Sequence, residues 1–75
     1  MIRFKLKQLM EDRQFTTGTR VTLGKVAEST GIHRTTLSKI ANTRAYNTTT
    51  DNLNALCKYF QCQLEDIAEF VDVDE

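Results

Sequence analysis

Apolar residues return along this chain at helical intervals, in five stretches separated by polar or glycine-containing breaks. Leu6, Leu9, Met10 and Arg13 stand at i, i+3, i+4 and i+7. Their apolar members make one face of a first helix that the pattern ends at Gln14. Leu23, Val26, Ala27 and Thr30 mark a second helix, with Thr22 as its N-cap. Gly31 follows, then Ile32, Leu37, Ile40 and Ala41 take up a third helical face. Thr49 or Thr50 caps a fourth helix that carries Leu53, Leu56, Cys57 and Phe60, and Leu64, Ile67, Ala68 and Val71 predict a short fifth. The sum is an all-α fold, a compact five-helix bundle. Residues 1–4 alternate Ile2 and Phe4 with Arg3, a pattern that suits a short extended arm or a ragged helix start. Between helices one and two, the Thr and Gly content of residues 15–21 predicts a turn. Phe15 and Val21 serve it as apolar anchors and Gly18 as its positive-φ residue.

The centre of the pattern is residues 22–42, where two short helices meet at a tight turn. Gly31 can take positive φ where the first of them ends, and the small Ala27 one turn earlier lets the second cross it closely. This is a helix-turn-helix. Its residues Val26-Ala27, Thr30-Gly31-Ile32 and Thr35-Thr36-Leu37-Ser38-Lys39-Ile40 resemble the lambda-repressor-like, Cro-type helix-turn-helix family and its short single-domain regulators. The downstream Leu53, Leu56, Cys57, Phe60, Cys62, Glu65, Asp66 and Ile67 extend the resemblance over most of the chain. It implies that helices two and three form a DNA-binding motif. Two features depart from the family pattern: Leu23 stands where a Gln is common, and the connection 15–21 is longer than usual.

Candidate contacts follow from the motif. A recognition helix lies in the major groove with its N-terminal residues at the base edges. His33, Arg34, Thr35 and Ser38 are therefore the expected base readers. Arg34 can donate a bidentate pair to guanine, and Thr35 and Ser38 can bond either way. Thr36 is expected half-buried, and a plain N-cap role for His33 competes with any other. A helix N-terminus offers free N–H groups to an anion, and the resemblance implies that this end of helix two sits on a DNA phosphate, with Thr22 and Lys25 as the contacts. Lys39 joins them. The resemblance carries Asn42 over as a phosphate contact, and Arg44 and Tyr46 are long donors on the same loop, with an ordinary turn and an Asn C-cap as the competing reading. Arg20, and Arg3, Lys5 and Lys7 off the first helix's apolar face, could touch the backbone or simply be solvated.

Seventy-five residues make one domain, 1–75, and bury only about 60% of the unfolded surface, so association is a plausible source of stability. The zero net charge hides an asymmetry. Residues 1–50 hold nine Lys/Arg against three Asp/Glu, net +6, and residues 51–75 hold one against seven, net −6. A basic half that contains the motif suits a polyanion, although both runs can also be read as solvated faces. The acidic end, residues 72–75, is expected to fray. No apolar run is long enough for a membrane span or placed for a signal peptide, which predicts a cytoplasmic, nucleoid-associated protein. Cys57 and Cys62 sit at apolar positions with no further Cys or His nearby, so they are read as reduced core thiols, with no metal and no cofactor expected.

These features predict a sequence-specific regulator of double-stranded DNA, a repressor acting as a homodimer on an inverted repeat, though the fold class leaves the sign of regulation open. The alternative is an antitoxin-like or immunity-repressor module whose acidic helices four and five hold a protein partner. One His and no paired carboxylates or phosphate loop give no catalytic constellation. RNA binding is disfavoured because Phe4, Phe15, Phe60 and Phe70 mostly fall at apolar positions.

Overall fold

The computed structural model describes residues 1–72. The elements in chain order are β1 (Ile2–Phe4), α1 (Leu6–Thr17), α2 (Leu23–Thr30), α3 (Arg34–Asn42), α4 (Thr50–Phe60), α5 (Leu64–Ile67) and β2 (Ala68–Phe70). All five helices expected from periodicity are present. Leu6, Val26, Ile32, Leu37, Ile40, Leu56, Phe60 and Ile67 form one buried core to which every helix contributes. Arg13 stands in the apolar stripe of α1 for a reason of its own. Its guanidinium donates to the Phe60 carbonyl and lies 5.8 Å from the centre of the Phe60 ring, closing the end of α4.

The fold is not all-α. Residues 1–4 take the extended alternative, and β1 pairs antiparallel with β2 in the register Ile2 to Phe70, Arg3 to Glu69 and Phe4 to Ala68. The amino terminus donates to the Val71 carbonyl at 2.9 Å and Val71 N–H returns a bond to the Met1 carbonyl at 2.8 Å. That pairing also corrects the fifth helix. Ala68 and Val71, placed on it by periodicity, lie beyond its end at Ile67. Four residues make a marginal helix, and the backbone groups that would have lengthened it are satisfied by β1 instead, with Lys5 N–H on the Ile67 carbonyl as the hinge. The expected frayed end lies outside the described residues, except for Asp72.

Two further corrections concern α1. It runs to Thr17, not Gln14, because nothing in Phe15-Thr16-Thr17 stops it; Gly18, at φ 72°, does. As part of that helix Phe15 is nine residues beyond Leu6, about 180° around the axis, so it points away from the core and is 91% exposed. It anchors nothing. Val21 does pack against the core, and its N–H is held by the Gln14 side chain at 3.1 Å.

Candidate nucleic-acid interface

The motif is built at both of its joints by local chemistry. At the start of α2, Thr22 has extended φ and ψ and its hydroxyl accepts from Lys25 N–H at 3.2 Å. At its end Gly31 is left-handed, φ 76°, and donates to the Ala27 carbonyl. The Thr30 hydroxyl bonds back to Val26 O and receives Ile32 N–H, which fixes how the chain leaves the turn. Ile32 then enters the core, and α3 follows with Leu37 and Ile40 buried. With those two residues inward, Arg34, Thr35 and Lys39 are exposed, and Ser38 and Thr36 are half-buried.

Of the expected base readers, His33, Arg34 and Thr35 lie at the N-terminal end of α3 and Ser38 at its middle. His33 is exposed as the N-cap of α3, but its ring makes no capping bond, so the first amides of that helix are uncapped by any side chain. Ser38 is engaged: Asn42 Nδ2 donates to its carbonyl at 3.0 Å and approaches its hydroxyl at 3.5 Å.

The expected phosphate contacts are more dispersed. Lys25 Nζ reaches back to the Arg20 carbonyl at 3.4 Å, and Thr22 is committed to its cap. Leu23 is half-buried against the core, an internal role for the residue that stands in place of the common Gln. Asn42 is the last residue of α3, and its amide is turned toward Ser38. Arg44 is exposed on the following loop. Tyr46 packs partly against the core, so only part of it faces outward. The loop is shaped by Ala45, left-handed at φ 54°, and ends on Thr49, whose hydroxyl caps α4 by accepting from Asn52 N–H.

Sequence patterning missed one neighbour of this surface. The strand β1 brings Arg3 and the adjacent Lys5 beside Glu69, with Arg3 Nη1 at 3.0 Å and Lys5 Nζ at 3.9 Å from its carboxylate oxygens. The same strand lies alongside Ala41, Asn42 and Arg44 at the end of α3. No local signal joins residue 3 to residue 69; only the alternation of Ile2 and Phe4 hinted at a strand.

Two short helices closed by a left-handed glycine, the second with its polar and basic side turned outward, define the helix-turn-helix class of DNA-binding domain. The family model of the Cro/C1-type HTH DNA-binding domain matches residues 5–73, and the chain belongs to that family. No curated protein and no solved structure matches the chain. The family is one of transcription-regulator domains. None of the described helices is long and apolar enough to cross a membrane.

Proposed function

We propose that this protein is a sequence-specific regulator of double-stranded DNA, a repressor that occupies a promoter as a homodimer on an inverted repeat. The carrying observation is the outward face of α3, where Arg34, Thr35 and Lys39 are exposed opposite the buried Leu37 and Ile40. His33, Arg34, Thr35 and Ser38 read base edges; Thr22, Lys25, Lys39, Asn42, Arg44 and Tyr46 hold the flanking phosphates. For Ser38 and Asn42 this requires the amide of Asn42 to leave its contact with Ser38 when duplex is bound. Exposed Ile2, Leu64 and Phe70, grouped around one shallow depression with Ala68, support a second copy as the partner on that side. Two recognition helices would then sit about 34 Å apart on one duplex face.

The two kinds of contact separate by titration. Arg34→Ala should cost about 1–3 kcal/mol on the selected site and much less on random DNA. Arg44→Ala should weaken both alike and lower the slope of log K against log salt by about 0.9 per subunit. If Arg34→Ala weakens every sequence equally while Arg44→Ala changes the preferred base, α3 is not the reading helix.

A further inference from the structure

A trough that the motif itself does not explain lies at the C-terminal end of α3, where Ile40, Ala41 and Asn42 line it. It consists of two depressions that share Arg3, Phe4 and Ala41 in their linings. One extends toward Asn42 and Arg44, the other toward Lys5 and Lys7. Glu11 is the one acid among the lining residues of the two. Arg34, Ser38 and Ala41 stand at i, i+4 and i+7, so they share a face of α3, and the trough meets that stripe at Ala41. A helix lying in a major groove has a sugar-phosphate backbone along each of its edges. The cation-lined trough would meet one such backbone at the C-terminal end of α3.

Arg3 is held there by an ion pair that can be exchanged. Both partners are solvent-accessible, the side chains of Arg3 and Glu69 being 59% and 38% exposed. An exposed pair of this kind is weak and screened by salt, whereas a cation meeting duplex DNA releases a condensed counterion. Arg3 is long enough to turn from the carboxylate to a phosphate without disturbing the backbone pairing of β1 with β2, which does not involve its side chain.

We propose that this trough is a second phosphate-binding tract for double-stranded DNA, in which Arg3 and Lys7 take backbone phosphates and Glu69 is the counterion that Arg3 leaves when duplex arrives. The tract rests on the DNA-binding reading of α3 and extends it beyond the motif to the first strand and the first turn of α1. Glu69 thereby lowers affinity for all sequences without touching discrimination.

Salt titrations of binding to a selected site and to random duplex test it, on the full chain. Arg3→Ala and Lys7→Ala should each reduce the slope of log K against log salt by about 0.9 per subunit and weaken both duplexes by the same factor. Arg3→Lys should retain the slope, which separates loss of charge from damage to the strand. Glu69→Gln should raise affinity for both duplexes by about two- to fivefold at low salt, with the gain shrinking as salt rises. Slopes and affinities unchanged in Arg3→Ala and Lys7→Ala, in a protein whose Arg34→Ala variant loses discrimination, would overturn the tract and leave the reading of α3 standing. Absence of duplex binding by the native chain would overturn both.

Discussion

Single residues carry local costs that the fold as a whole tolerates. Gln61 ends α4 in the left-handed region, φ 51°, so that its own N–H and that of Cys62 both reach the Cys57 carbonyl. A side chain with a Cβ is strained there and glycine is not. Gln61→Gly should therefore stabilise the protein by about 0.5–1 kcal/mol, read as a higher urea midpoint at unchanged slope. Cys62, the next residue, has its thiol pKa pushed above the ordinary 9.0, first by burial, then by the charges of Cys57 and Asp66 and a hydrogen bond with Cys57, with Arg13 opposing. A raised thiol pKa means the folded chain keeps a proton that the unfolded chain gives up. The associated stability is complete below the unfolded value and is lost as pH rises through the folded one. Native protein should thus lose more stability between pH 8 and pH 10 than the Cys62→Ala variant, measured by urea unfolding at both pH values.

At the level of elements, what matters is where each helix begins and stops, because α2 and α3 must be short and fixed for the second to project. Thr22 sets the start of α2 by holding Lys25 N–H. Removing that oxygen leaves an amide of the first turn without its acceptor, and Thr22→Ala should cost about 1 kcal/mol in urea denaturation. Asn52 N–H on the Thr49 hydroxyl does the same for α4, with Asn52 Nδ2 on the Thr48 hydroxyl as reinforcement. The long connection before α2 is partly helix: α1 absorbs Phe15 through Thr17, and only residues 18–22 remain to join the two. Phe15 is left facing solvent as a consequence of that added turn.

Across the whole molecule, residues 1–4 and residues 68–71 are tied together into a two-stranded ribbon whose sides have different characters. Strand alternation separates Arg3 and Glu69 from Ile2 and Phe70, which oppose each other across the register. Arg3 borders the proposed phosphate tract, while Ile2 and Phe70, with Glu69 beside them, border the proposed dimer contact. Phe70 is 72% exposed, so replacing it should leave folding intact while weakening association. Sedimentation of the native chain should give a dimer, and that of Phe70→Ser a monomer with unchanged helix content. A native protein that is a monomer both free and on its DNA site would remove the dimer, and would favour a different protein as the occupant of the α5 side.

The sequence by itself determined the helices and the motif, because both rest on interactions between near neighbours. Threonine caps, the left-handed Gly31 and the i, i+3, i+4 spacing of Leu37, Ile40 and Ala41 all act within a turn or two, so residues 22–42 were legible from pattern alone. The outward face of α3 followed from the same periodicity. Helix phase decided Phe15, but only once the end of α1 was known, and that end depends on Gly18 and not on any apolar repeat. Tertiary structure alone decided the ribbon. Leu64, Ile67, Ala68 and Val71 satisfy a helical pattern as well as a strand end does, and the choice is made by the backbone groups of residues 1–5, more than sixty positions away. The placement of Arg3 and Lys5 against Glu69, and of the whole basic arm beside the end of α3, follows from that long-range pairing, which no local spacing encodes.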